Sequence, residues 1–289
     1  MKNSIKSLFN SNLNFFKKDI FFKKIIKNDL LILLYHDVSD NPFDFHKEHN
    51  LNVSIKKFKD QIRFLSKYYT FISPLDLLKG TFERPAALIT FDDGIKSNFE
   101  IAIKILLKYK LPSLHFLNAG PLLGQFFYSG LVTYLFKEKF LNDNNYLTVS
   151  EDDVHKFLQN KEIMKKVQNY HGPFANENDL ITFDNNEYVF YGNHLFNHYN
   201  AANISLDFFK LNYDKNKKYL SKFNNYIDFF SYPFGAKDTC YNYKTEDFLK
   251  RKLKPLKYFY ADTLSFNKKK TQSYHRFILD NDTDENIFK

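Results

Sequence analysis

Two short polar motifs interrupt apolar runs of this sequence, and both contain side chains that bind metal ions. Residues Thr90–Gly94, Thr-Phe-Asp-Asp-Gly, place the adjacent carboxylates of Asp92 and Asp93 directly after the apolar run Ala86–Phe91. Two neighbouring carboxylates repel one another and resist burial, and a cation removes that conflict. Because successive side chains of a strand diverge, one carboxylate can ligate a metal while the other faces a bound water. The alternative is an ordinary Asp-Asp-Gly turn with both carboxylates in solvent.

The second motif is a pair of histidines four residues apart, within Tyr191–His198, and it also follows a predicted strand. Side chains at i and i+4 lie on one face of a helical turn, which suits the binding of one metal by His194 and His198. Such pairs also arise by chance, and His46 with His49, three residues apart, is interpreted as an accidental pair. One aspartate and two histidines form the three-ligand, open site expected of a catalytic zinc or a similar divalent ion.

The elements that must position these motifs alternate between short apolar runs and longer helical patterns, as in β/α units. Strands are predicted at Leu30–Tyr35, Thr70–Ile72, Ala86–Phe91, Ser113–Leu117, Tyr188–Tyr191, Asp228–Tyr232, Tyr258–Ala261 and Phe277–Leu279. Helices are predicted from Ser54 to Leu65 and at Pro74–Lys79, Asn98–Lys110, Leu206–Phe223 and Glu246–Leu253.

Residues 121–185 break this alternation with helical patterns at Leu131–Lys139 and Asp152–Tyr170, which predicts a helical insertion that caps the main body. About seven β/α units without a Gly-rich phosphate loop favour an α/β fold of the distorted (β/α) barrel type over a doubly wound nucleotide-binding fold. In such barrels the chemistry lies at the carboxyl ends of the strands, where both motifs fall.

The charge distribution divides the chain into a basic extension, residues 1–29, and a barrel domain, residues 30–289. Residues 1–30 contain seven lysines and two aspartates, more than half of the net charge of +9, so the remaining body is only mildly basic. The sequence carries no recognisable nucleic-acid-binding motif, so no nucleic acid is expected as a partner.

The extension and the cysteine content bear on location. The first residues lack the uninterrupted apolar run of a secretory signal, and the single cysteine, Cys240, excludes an intrachain disulfide and fits a reducing compartment. A cytoplasmic location is therefore expected. The alternative is association with a membrane surface through an amphipathic N-terminal helix.

Taken together and in order, the motifs resemble those of the polysaccharide deacetylases, carbohydrate esterase family 4. Thr-Phe-Asp-Asp-Gly precedes Gly-Asn-His-x-x-x-His, and the resemblance extends through Leu34–Val38, Ser231–Gly235 and Arg276–Leu279, so that it covers about residues 30–280. The Tyr-His-Asp-Val and Tyr-Pro-Phe-Gly variants are similar to the branch associated with exopolysaccharide and surface-glycan modification. The family implies a distorted (β/α) barrel, a divalent metal and removal of acetate from N-acetylated sugars.

The resemblance also implies roles for individual residues. Asp93, His194 and His198 would ligate the metal, most simply Zn²⁺, with Co²⁺ or Ni²⁺ as alternatives. Asp92 would be the general base that deprotonates the attacking water. The backbone N–H of Tyr232 would donate to the tetrahedral oxyanion.

The sequence departs from the family at the third, fourth and fifth motifs, and Tyr274–Arg276 does not reproduce the Leu-x-His spacing of the fifth. Ser231 stands where the family's third motif often has an arginine that orients the catalytic aspartate, and the sequence contains no tryptophan for the fourth motif. Arg276 either replaces that arginine or forms a salt bridge at the rim. The amine leaving group needs a proton, and the candidate donors are His275, in the region of the last motif, and His36, at the end of the first strand.

These observations predict a metal-dependent N-deacetylase that acts on an amino sugar of a surface glycan or of its biosynthetic intermediate. A catalytically impaired relative that binds glycan without turnover is one alternative. A hydrolase of the same fold that cleaves non-peptide C–N bonds in small molecules is another.

Overall fold

The computed structural model describes residues 30–141, 151–261, 267, 271–281 and 283, and its centre is a sheet of parallel strands. The strands are β1 (Leu30–Tyr35), β2 (Asp37–Val38), β3 (Asn52–Val53), β4 (Thr70–Phe71), β5 (Ala86–Phe91), β6 (Ser113–Leu117), β7 (Val189–Asn193), β8 (Tyr226–Ser231), β9 (Lys257–Tyr260), β10 (Ser273–His275) and β11 (Phe277–Ile278). Eight of them follow the path β10-β9-β8-β7-β6-β5-β1-β11, with β4 beside β5 and a separate β2–β3 pair. The sheet is nearly closed into a barrel, which confirms the predicted α/β barrel fold.

Closure of the sheet depends on the last strands, which form its two ends although only Arg276 separates them in sequence. The N–H of Arg276 donates to the Tyr260 carbonyl at 3.0 Å, on the β9 side of the seam. Three residues later, the N–H of Leu279 donates to the Leu34 carbonyl at 2.9 Å, on the β1 side. Arg276 therefore lies at the seam of the barrel.

Alternation along the strands separates the barrel interior from the surface that the helices cover. Leu30 and Ile32 of β1 pack inside with Phe116, whereas Leu31 and Leu33 pack outside against the helix Ile55–Leu65. Every residue of β1 and β5 is buried, as expected of parallel strands that are covered on both faces.

The helices follow the sequence patterns closely. They span Asp44–Glu48, Ile55–Leu65, Pro74–Lys79, Ile103–Lys108, Ala119–Leu122, Tyr128–Lys137, Glu151–Leu158, Lys161–His171, Glu177–Phe183, Leu206–Leu220 and Tyr243–Phe248, with π-helical turns at Asn98–Ala102 and Leu249–Leu253. The Ser54 hydroxyl caps its helix by accepting from the Lys57 N–H, and Gly80 ends the Pro74–Lys79 helix at a φ of 67°. Among the described residues, no helix is both long and apolar enough to cross a membrane.

The predicted insertion falls in the connection between β6 and β7, whose described part contains five of these helices. The pattern predicted as one helix over Asp152–Tyr170 forms two, because Asn160 caps the second by accepting from the N–H groups of Glu162 and Ile163. The extension 1–29 lies outside the described residues, and its contact with a membrane stays a prediction.

A short segment of this connection pairs with the turn that follows β5. Phe174 forms an antiparallel bridge with Ile95, and the Ala175 N–H donates to the Gly94 carbonyl at 2.9 Å. Lys96 donates to both carboxylate oxygens of Asp179 at 2.7 Å. These contacts hold the connection against the backbone that follows the two aspartates.

Candidate active site

The two aspartates lie in a tight turn at the carboxyl end of β5, and both are buried, with 3% of each residue exposed. Asp93 adopts a φ of 72°, which aspartate tolerates better than most residues, and Gly94 follows at 79°. A Cβ on Gly94 would lie 3.0 Å from a methyl group of Leu122, and the positive φ itself favours glycine at this position. Because of this turn, the two carboxylates point in different directions and contact different partners.

Asp92 is held by Arg276 across the barrel. The Nη1 and Nη2 atoms of Arg276 donate to Oδ1 and Oδ2 of Asp92, both at 2.6 Å, and Nη2 also donates to the Ser231 hydroxyl at 2.6 Å. The arginine is 1% exposed, and its guanidinium lies 5.2 Å from the centre of the Phe116 ring. Of the two predicted alternatives for Arg276, the structure has the contact with the aspartate and not a salt bridge at the rim.

This ion pair determines the charge state of Asp92. Burial raises the pKa of the carboxyl, but the charges of Arg276 and His194 outweigh burial, and the pKa falls below its usual value. Asp92 is therefore an ionised, oriented carboxylate at neutral pH.

His194 and His198 follow β7 in an irregular loop, so the predicted helical turn is wrong. Leu195 and His198 adopt φ values of 62° and 63°, which no helix accommodates. The two imidazoles nevertheless lie together, with ring centres 4.9 Å apart. Backbone reversal at Leu195 and His198, rather than helical periodicity, brings them to one side.

Buried asparagines take the place of the missing helical hydrogen bonds. Asn118 donates through Nδ2 to the carbonyls of His194 and Leu195, the latter at 2.8 Å. Asn193 accepts from the Leu195 N–H at 3.0 Å and from Asn216 Nδ2 at 2.7 Å. Sequence analysis missed Asn118 and Asn216; the position of Asn118 directly after a buried strand was the available signal.

Three ligand atoms converge beside this loop. Asp93 Oδ1 lies 3.1 Å from His198 Nε2 and 3.5 Å from His194 Nε2, and one ligand atom from each residue lies within 4.8 Å of the others. Tetrahedral zinc ligands at roughly 2.1 Å from the metal would lie about 3.4 Å apart. The His194 Nδ1 atom is 2.9 Å from the Ser231 carbonyl, which fixes the tautomer that leaves the Nε2 lone pair free for a metal.

The electrostatics of the three residues also fit a cation. Burial raises the pKa of Asp93, but His198 and His194 outweigh it and hold that pKa well below the usual range. Burial lowers the pKa of His198 against the opposing charge of Asp93, which favours the neutral imidazole that ligates metals. One buried carboxylate beside two buried imidazoles is a donor set that suits a divalent cation.

The two candidate proton donors lie in different places. Half-buried His36 lines a cleft with Asp92, Asp93 and His198. Burial lowers its pKa, and the charges of Asp93 and Asp92 oppose that shift. His275, also half-buried, pairs in register with Tyr260 on β9, has its ring 5.3 Å from the Tyr260 ring, and is not among the described residues that line the cleft.

Other predicted residues differ from expectation. The Tyr232 N–H, predicted to hold the oxyanion, donates to the Phe259 carbonyl at 3.3 Å, so sheet pairing engages this donor. His46 and His49, interpreted as an accidental pair, are both buried; His46 Nδ1 lies 3.7 Å from Asp37. The candidate metal cluster found among the described residues contains neither of them.

Comparisons with known proteins agree with this architecture. No family model and no curated protein matches the sequence. Among solved structures, the chain is similar to the Streptococcus pyogenes deacetylase PplD in complex with acetate, at 20% identity over 88% of this chain and 93% of that chain, with a TM-score of 0.54. IcaB from Ammonifex degensii shares 17% identity over 89% and 94%, with a TM-score of 0.59. A de-N-acetylase from Aggregatibacter actinomycetemcomitans shares 14% over 89% and 97%, with a TM-score of 0.54. At these identities the likeness establishes a shared fold.

We expect Arg276→Met to lower the free energy of unfolding by about 3–5 kcal/mol near neutral pH, because Asp92 would stay buried without its cation. The folded-state pKa of Asp92 is lowered, so the pair stabilises above the unfolded-state carboxyl pKa of about 4, and this contribution is lost as the pH falls through the folded-state value. Urea unfolding of chelator-treated protein at several pH values measures both effects.

The matched control is Arg251→Met, which removes an exposed pair with Asp247 at 2.7 Å. Its loss should stay below about 1 kcal/mol. Equal, small losses for the two variants would contradict the importance of the Arg276 pair.

Proposed function

We propose that this chain is a metal-dependent deacetylase of carbohydrate esterase family 4, which hydrolyses the N-acetyl group of an amino sugar in a surface glycan or its biosynthetic intermediate. The observation that carries the proposal is the ionised Asp92, clamped by Arg276, beside the Asp93, His194 and His198 cluster. A base and a three-ligand set at the same strand ends suit amide hydrolysis. The shared fold with PplD, solved in complex with acetate, supports it.

Asp93, His194 and His198 would hold the metal, most simply Zn²⁺, with Co²⁺ or Ni²⁺ as alternatives. A divalent cation there would lower the pKa of a water molecule and polarise the acetyl carbonyl. The remaining chemistry belongs to the side chains around it.

Asp92 accepts the proton of the water whose oxygen attacks the carbonyl carbon. Arg276 keeps this carboxylate ionised and fixes both of its oxygens, so that orientation costs nothing during the reaction. When the C–N bond breaks, the electron pair goes to the amine nitrogen, which takes a proton from a histidine, and acetate is released. We assign this second proton to His36, because it lines the cleft with Asp92, whereas His275 lies against Tyr260.

The direct test is acetate release from β-1,4- and β-1,6-linked N-acetylglucosamine oligomers with added zinc, cobalt or nickel. Small cyclic amides, assayed in parallel, represent the hydrolase of non-peptide C–N bonds. Acetate release that a chelator abolishes and metal restores supports the proposal. Oligomer binding without turnover under all three metals would instead favour an impaired, glycan-binding relative.

Substitution of a ligand should remove both metal and activity. We expect Asp93→Ala and His194→Ala each to lose the bound metal and at least about a hundredfold in activity, because three protein ligands leave no redundancy. Metal content after dialysis and the rate of acetate release are the measurements. His49→Ala, which lies outside the cluster, should keep its metal; a wild-type metal content in Asp93→Ala would refute the ligand assignment.

Substitution of the base should separate chemistry from metal binding. Asp92→Asn keeps the shape of the side chain but removes the proton acceptor, so we expect full metal content and a rate lower by roughly 10²–10⁴-fold. Should Asp92→Asn lose the metal while Asp93→Asn keeps it, the roles of the two aspartates would be the reverse of those proposed.

The proton donor can be identified from the pH–rate profile. A general acid must be protonated, so the rate of the wild type falls as the pH rises through its pKa, which forms the alkaline limb. We expect His36→Ala to retain metal, lose roughly 10²-fold or more in turnover number, and lack that limb. His275→Ala is the matched comparison and should keep the limb. The opposite result would transfer the role to His275.

A further inference from the structure

The histidine assigned as the proton donor has no hydrogen bond that fixes its ring at Nδ1. Within the described part of the chain, the His36 Nδ1 atom is buried and has no hydrogen-bond partner. The place of the imidazole in the cleft therefore depends on the backbone that directly follows β1. Its placement matters for the reaction, because a general acid must come within hydrogen-bond reach of the atom that it protonates.

The backbone of His36 is held by the side chain of Asn98. Asn98 Nδ2 donates to the His36 carbonyl at 2.6 Å, and Asn98 is 0% exposed. The Asn98 Oδ1 atom has no hydrogen-bond partner among the described residues. A buried amide that leaves its acceptor unused costs free energy, and the bond to the His36 carbonyl is the contact that offsets this cost.

Asn98 belongs to the same short connection as the two aspartates. It follows Gly94 by four residues and begins the π-helical turn Asn98–Ala102, which precedes the helix Ile103–Lys108. Single π-helical turns are rare and are frequent at functional sites. The residue that holds the backbone of the proposed acid is therefore carried by the segment that also carries the proposed base.

Hydrogen bonds join three consecutive residues at the end of β1 to the segment 92–98. The pairs are Tyr35 with the Asp92 N–H, His36 with Asn98, and Asp37 with the Ser97 hydroxyl. Asp37 also accepts from Asn52 Nδ2 at 2.9 Å, so its buried carboxylate is held from a second side. The strand end that carries the acid and the turn that carries the base are thus joined at successive positions.

We infer that Asn98, assisted by Ser97, is a positioning residue for the reaction, because it fixes the His36 backbone relative to Asp92. This inference rests on the proposed function and on His36 as its proton donor. Neither Asn98 nor Ser97 is among the described residues that line the cleft. Both therefore act through His36 and not by contact with the substrate.

The test compares an amide with an activated ester. Zinc-loaded wild type, Asn98→Leu and Ser97→Ala are assayed on N-acetylglucosamine oligomers and on 4-nitrophenyl acetate, whose phenolate leaves without a proton. Asn98→Leu keeps the size of the side chain but removes the donor, and should lower kcat for the amide about 10- to 100-fold with KM unchanged. Ester hydrolysis should stay at the wild-type rate. Ser97→Ala, the milder change, should lower the same kcat about threefold, and it replaces Asn98→Leu if that variant fails to fold.

A double-mutant cycle on the amide alone tests whether Asn98 acts through His36. In a His36→Ala background, Asn98→Leu should cause no further loss of kcat, because the residue that it positions is already gone. The matched control is Asn225→Leu. Asn225 Nδ2 donates to the Phe183 carbonyl at 2.7 Å directly before β8, so its loss should lower the thermal unfolding temperature and leave kcat and KM unchanged.

Four outcomes would overturn the inference while an acetate-releasing wild type upholds the proposed function. They are a wild-type kcat in Asn98→Leu, equal losses on the amide and the ester, the same loss in the His36→Ala background, and a wild-type turnover in His36→Ala. A wild type that releases no acetate would instead refute the proposed function, and the inference with it. Metal content and thermal unfolding of each variant separate a misplaced acid from a damaged fold.

Discussion

The bidentate pair between Arg276 and Asp92 is the interaction on which the arrangement of the site depends. A sequence that places two carboxylates side by side at the end of a buried strand must compensate two negative charges in a medium that solvates neither. In the structure, each of the two charges is compensated by a different set of side chains. The guanidinium compensates Asp92, while the imidazoles, with the cation that they suit, compensate Asp93. Two chemically identical side chains thereby acquire different environments, which is the condition for giving them different roles.

The same pair shows why Ser231 occupies its position. An arginine at residue 231 would reach the aspartate from β8, whereas here the arginine comes from the seam and a small hydroxyl accepts one of its N–H groups. The two residues fill one volume in the barrel interior, with Phe116 below the guanidinium. The guanidinium that orients the Asp92 carboxylate is thus supplied from the seam and not from β8.

Much of this could be predicted from the sequence, because buried parallel strands and helix caps have strong local signatures. The strands at Leu30–Tyr35, Ala86–Phe91 and Ser113–Leu117 have the predicted bounds, and the barrel follows from their alternation with helices. The loop of His194 and His198 could not be predicted in the same way. A spacing of four residues suggests a helix, but the actual conformation depends on Asn118, directly after β6, and on Asn216 of the helix Leu206–Leu220, which both lie far away in sequence. The sequence likewise left two alternatives for Arg276, a contact with Asp92 or a salt bridge at the rim. Only the three-dimensional closure of the sheet brings Arg276 to Asp92.

The position of the seam in the sequence determines when the barrel can close as the chain is synthesised. Arg276 follows Asp92 by 184 residues, yet it neutralises that carboxylate and joins the two ends of the sheet. A nascent chain that has emerged only as far as β9 can form most of the helical cover, but its sheet is open and Asp92 has no guanidinium. The strand that closes the sheet and the guanidinium that pairs with Asp92 therefore become available to the fold together.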